Sequence, residues 1–147
     1  METNSPEPVD LLISYGTLLT MDDEMSIISD GAVAISGSKI AAVGESRLLE
    51  DRFQPRRLMD AAGMLVMPGL INTHTHSGDA LFRGLVEDLS LESWLEMLWI
   101  AEARFINPET VAWAARLAYI EMIHCGITTA VDMFWFPDVL AEAATAL

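Results

Sequence analysis

An unbroken apolar run at residues 64–71, MLVMPGLI, splits the chain into two stretches of different periodicity. It lacks polar alternation, as expected of a strand buried on both faces, and Pro68-Gly69 must bend or interrupt it. Such a strand belongs in a parallel sheet covered by helices, and the following sequence supplies them. Ser90 is placed to cap a helix over residues 91–104. Asn107-Pro108-Glu109 is a stronger start signal, with a capping side chain, a proline at the first helical position and an acid near the positive end of the dipole. This second helix runs to about Cys125, with Gly126 as its C′ residue, and residues 127–134 (ITTAVDMF) have the content of another strand. Strand, helices and strand make a βα unit with a parallel neighbour.

Before the run, residues 9–60 hold short segments of strand formers, LLISYGTLL, AVAIS and KIAAVG. Gly37-Ser38 suits a type II′ hairpin and Asp30-Gly31 marks another turn, so this region reads as a small antiparallel β unit. The expected division is a small β unit over residues 1–63 and the first βα units of a barrel over residues 64–147. A (β/α)8 barrel takes about 250 residues. The helical pattern from Pro137 stops at Leu147 without a cap, so the expectation is an incomplete, truncated barrel, its fold class α/β.

With 8 basic against 22 acidic residues the net charge is −14, which repels nucleic acid and anionic lipid. The start METNSPEPVD is acidic and proline-bearing, unlike a signal peptide, and residues 111–123 are interrupted by Arg116 and Glu121. These features predict a cytoplasmic protein that does not bind membranes. The single cysteine, Cys125, reads as a small core residue.

The chemistry-bearing motif is Asn72-Thr73-His74-Thr75-His76, at the end of the apolar run. Residues i and i+2 of an extended segment point to the same side, so both imidazoles can reach one metal ion, and imidazole suits zinc, iron or nickel. Two surface histidines remain an alternative on spacing alone. A metallo-β-lactamase-type site would need Asp and His where Gly78 and Asp79 stand. A phosphoesterase of the polymerase-and-histidinol-phosphatase type begins near its own N-terminus, and a non-catalytic truncated product is the remaining alternative.

From Pro68 onward the chain resembles the amidohydrolase superfamily, in its branch of adenosine-derivative deaminases, guanine-type deaminases and triazine hydrolases. The resemblance is carried by Pro68-Gly69-Leu70-Ile71-Asn72-Thr73-His74-Thr75-His76, Leu81-Phe82-Arg83-Gly84, Glu87-Asp88-Leu89, Trp94-Leu95, Glu102, Gly126-Ile127-Thr128-Thr129 and Asp132-Met133. It implies a hydrolase of non-peptide C–N bonds with one divalent metal ion, zinc first and iron second. His74 and His76 would be two of its ligands, with a histidine and an aspartate from later strands. A water made nucleophilic by that ion would attack a ring carbon bearing an amino, chloro or alkylamino group of a small heterocycle. The resemblance also implies that residues 1–63 are the N-terminal portion of a small β-sandwich that precedes the (β/α)8 barrel, a homodimer of the intact protein, and proton-transfer residues outside these 147, leaving no catalytic residue within the chain and no activity in it alone.

Glu102 falls where nucleoside-deaminase relatives hold a hydroxyl pair, and Trp99 is close enough in sequence to touch a ring substrate. The segment lacks the proline usual before that glutamate, and Asp79 replaces a frequent methionine. Both departures point to a ring without a sugar, with Glu102 as an exposed helical acid. His124 and Asp132 read as structural, Trp94, Trp99, Trp113 and Trp135 as packing residues, and Arg83 as an i+4 partner of Glu87.

Overall fold

A computed structural model describes residues 5–147; residues 1–4, the head of the acidic start, lie outside it. The described residues form two compact units, one ending at Pro68 and the other covering residues 69–147. The sequence reading divides it after Gly63. Leu65 and Val66 instead pair with the first strand, which carries the first unit on to Pro68.

The first unit contains β1 (Glu7–Leu19), β2 (Ile27–Ser36), β3 (Lys39–Glu45), α1 (Ser46–Arg52), β4 (Phe53–Asp60) and β5 (Leu65–Val66). Its sheet runs β3-β2-β1-β4, and β5 also pairs with β1. β1–β2 and β2–β3 are antiparallel, but β4 and β5 both run parallel to β1, so the sheet is mixed and not the antiparallel unit expected. The cause is α1, unforeseen in the sequence, which turns the chain between β3 and β4 so that β4 enters in the direction of β1. A bulge lets β1 serve both neighbours. Tyr15 has φ 70°, the Ser46 hydroxyl accepts its N–H at 2.9 Å, and pairing passes from β4, ending at Ser14, to β5, beginning at Thr17.

Gly37 has φ 58° while Ser38 is not among the left-handed residues, as a type II′ hairpin requires. Asp30-Gly31 is not a turn. Both residues lie inside β2, where Gly31 faces Gly16 and a Cβ on Gly31 would stand 2.9 Å from Leu18. The glycine is needed for close strand approach. Val9, Leu12, Ala32, Ala34, Leu49 and Phe53 form the core of this unit, Leu49 fastening α1. Each large apolar side chain buried there contributes about 1.5–3 kcal/mol.

The second unit contains β6 (Leu70–Thr75), a 3₁₀ turn (Ser77–Phe82), α2 (Leu91–Phe105), α3 (Pro108–His124), β7 (Ile127–Asp132) and α4 (Pro137–Thr145). β6 and β7 are parallel, completing a βα unit. Ser90 accepts from Ser93 N–H at the start of α2. Asn107 and Thr110 form a reciprocal capping box on α3, and Gly126 has φ 77° beyond the C-cap. Val111 and Ala115 of α3 pack on Leu140 and Ala143 of α4.

Among the described residues β6 and β7 have only each other as strand partners, so Ile71 is 64% exposed and not buried on both faces as expected. Trp99, Trp113 and Trp135 are exposed as well, and so is Cys125, which sits at the C-cap of α3 rather than in the core. No described helix is long and apolar enough to cross a membrane, a finding that concerns helices alone.

Candidate active site

The site lies in the second unit at the C-terminal ends of β6 and β7, where (β/α)8 enzymes place their chemistry. His74 is on β6 and His76 just beyond it, and their rings meet edge to face with centroids 4.9 Å apart. The extended backbone thus brings both imidazoles to one side. His74 N–H is taken by Asn72 Oδ1 at 3.2 Å. His76 Nδ1 lies 2.6 Å from Met133 O; a carbonyl can only accept, so Nδ1 carries the proton and Nε2 keeps its lone pair. Two neighbouring imidazoles, one with its Nδ1 committed to a carbonyl and its Nε2 left for a ligand, fit a divalent ion of the zinc kind.

His76 also lines a cavity of about 420 Å³ with Asp79, Trp94, Trp99, Glu102 and Trp135. Trp94, Trp99 and Glu102 come from α2, while Trp135 comes from the segment after β7. Glu102, expected as an exposed helical acid, is half-buried, and Trp135 Nε1 donates to its Oε2 at 3.4 Å. Asp79 was missed as a site residue. One 3₁₀ turn separates it from His76, its N–H bonding His76 O at 3.0 Å, and residues three apart in such a turn share a side. Burial pushes the Asp79 carboxyl up to about 6, the adjacent Glu102 carboxylate adds to the rise, and His76 opposes it. Asp79 therefore takes up a proton at a higher pH than an ordinary carboxylate, in slightly acid solution. The space suits a single flat ring system with polar substituents.

Arg83 does not pair with Glu87. Residues after the 3₁₀ turn are not helical, and Arg83 instead makes a bidentate pair with Glu121 on α3 at 3.0 and 2.8 Å. Asp132 is the hydrogen-bonded strand-end acid expected, and His124 is exposed in the last turn of α3. Among the described residues no group of three or more His, Cys, Asp or Glu side chains is placed to hold a metal ion.

Gly78 holds the turn against the cavity wall: a Cβ there would stand 1.8 Å from Phe134 Cε1. Gly78→Ala should destabilise the full-length protein by about 1–3 kcal/mol, the usual cost of overpacking. The urea midpoint reads this. An unchanged midpoint would show that Phe134 moves aside freely.

Residues 65–147 match the sequence profile of the Amidohydrolase family. The chain is 46% identical over 139 residues to the 5-methylthioadenosine/S-adenosylhomocysteine deaminase 1 of Syntrophus aciditrophicus, covering 94% of this chain and 31% of that one. An adenosine deaminase from Xanthomonas campestris with bound zinc superposes with a TM-score of 0.92 at 38% identity, covering 97% of this chain and 33% of that one. The triazine hydrolase of Arthrobacter aurescens gives 0.83 at 32% identity, over 92% and 33%. The chain thus spans about a third of the length of the curated relatives it matches. Through its sequence profile and its α/β fold, this chain belongs to the amidohydrolase family.

Proposed function

We propose that the full-length protein is a metal-dependent hydrolase of non-peptide C–N bonds that deaminates an aminopurine or a related pyrimidine- or triazine-like ring. The observation carrying this reading is the pair of adjacent imidazoles, one of which lines the same aromatic cavity as Glu102. In it, His74 and His76 are two ligands of one divalent ion, zinc before iron. Such an ion supplies a Lewis acid that makes water nucleophilic at neutral pH. Trp99 and Trp135 flank the substrate ring, and Glu102 accepts from its hydroxyl or amino hydrogens. The acidic surface disfavours nucleic acid and anionic membranes as partners. A cytoplasmic location and a homodimer complete the reading.

Glu102 decides the substrate class. Its half-buried position in the cavity, together with the adenosine-derivative deaminases among the relatives, supports a purine bearing a sugar over the bare ring expected from the departures around Glu102. In the full-length protein Glu102→Ala should remove a charge-assisted hydrogen bond to a sugar hydroxyl, worth about 1.5–3 kcal/mol. That lowers kcat/KM for an adenosine derivative by roughly tenfold to 150-fold and leaves the free base nearly unchanged. Equal losses on both substrates, or none, would return Glu102 to a structural role.

A further inference from the structure

The ring of His76 is held by the end of β7, and the hold extends beyond the one hydrogen bond that touches it. Thr75 and Asp132 are register partners at the ends of β6 and β7. Met133 N–H donates to Thr75 O at 3.0 Å, and Met133 O faces His76 Nδ1 at 2.6 Å. Asp132 Oδ1 accepts Ser77 N–H at 3.2 Å, while Tyr119 on α3 donates its hydroxyl to Asp132 Oδ2 at 2.7 Å. The backbone on both sides of His76 is therefore tied to residues 132 and 133. Both oxygens of Asp132 are engaged within the protein, which makes it a support and not a free donor. Burial pushes the Tyr119 hydroxyl up to about 12, with Ser77 opposing the rise and Asp132 adding to it, so it keeps its proton and donates throughout the neutral range.

We propose that Asp132 and Tyr119 are positioning residues for His76, fixing the turn at Ser77 so that Nδ1–H stays on Met133 O and Nε2 is presented as a metal donor. This rests on the reading of His76 as a ligand given above. A group that orients a liganding imidazole typically changes metal affinity by about 10-fold to 100-fold when lost. Asp132→Asn removes the charge and turns one acceptor oxygen into a donor, so either Ser77 N–H loses its partner or the bond to the Tyr119 hydroxyl must reverse. Tyr119→Phe is milder, removing one hydrogen bond and leaving the carboxylate in place.

The test needs no activity. Long-range 15N–1H correlation spectra of the metal-free full-length protein, labelled with 15N at histidine, report the tautomer of each histidine ring. The unsubstituted protein should show His76 as the Nδ1–H tautomer. Asp132→Asn and Tyr119→Phe should shift His76 towards Nε2–H and weaken zinc binding about 10-fold to 100-fold. An Nε2–H tautomer in the unsubstituted protein overturns the proposal even if Asp132→Asn fails to fold, and so does a His76 signature unchanged in Tyr119→Phe. His74→Asn separates the two readings. If it leaves zinc affinity intact while Tyr119→Phe still shifts the tautomer, the positioning role stands and the metal reading falls.

Discussion

Full-length protein carrying His74→Asn or His76→Asn is expected to lose bound metal and activity together. Catalytic zinc sites use about three protein ligands and leave one position open, so the loss of one leaves too few donors to hold the ion. The Lewis acid is worth several kcal/mol in the transition state, which sets the expected fall in kcat/KM at roughly 10³-fold. His76→Asn should be the more severe, because it also removes the ring tied to Met133 O at the strand end. Elemental analysis of the purified variants gives the stoichiometry, and steady-state kinetics give the loss. Full metal content in both variants would remove these two residues from the site.

What the sequence reveals here is whatever chemistry acts over a few residues. The Asn107-Pro108 start of α3, the Gly126 stop and the Gly37 hairpin are each specified by a cap, a fixed φ or a missing Cβ, and each is where the sequence places it. The pairing partners of β1 are a different matter. β4 carries Pro55, Arg56 and Arg57 and has no strand-like alternation, and its place beside β1 follows from α1, whose N-cap Glu45 makes no capping hydrogen bond that would announce a helix. Asp30-Gly31 shows the reverse error, a turn-forming dipeptide used where two strands cross too closely for a side chain.

The site divides along the same line. His74 and His76 are legible because strand periodicity alone puts them together. Asp79 reaches Glu102 only because a 3₁₀ turn and the packing of α2 bring their carboxyls to one cavity, and Arg83 finds Glu121 across 38 residues instead of Glu87 nearby. Neither pairing follows from spacing. The exposure of Trp99 and Trp135 is likewise beyond spacing: the sequence says that such side chains should be covered, and both instead stand at the open face of the cavity that they line.

The 147-residue chain by itself should therefore release no ammonia from an adenosine derivative or an aminotriazine. Two imidazoles converge in it, and no third ligand lies among the described residues. An ion held by two neutral nitrogens is bound weakly and exchanges with water, so the rate advantage of a fixed Lewis acid is lost. The parallel pair β6–β7 also leaves strand edges open, and Leu70, Ile71 and Val131 stand exposed on it, which favours association between chains over a single packed state. A broad, concentration-dependent thermal transition is the accompanying expectation, since such edges unfold and pair with one another at similar cost. The deciding measurement is ammonia release by the purified chain with added zinc, repeated after chelation and in His76→Asn. Turnover that disappears in both controls would mean that two histidines and the cavity beside them suffice for catalysis, and would locate the whole reaction within these residues.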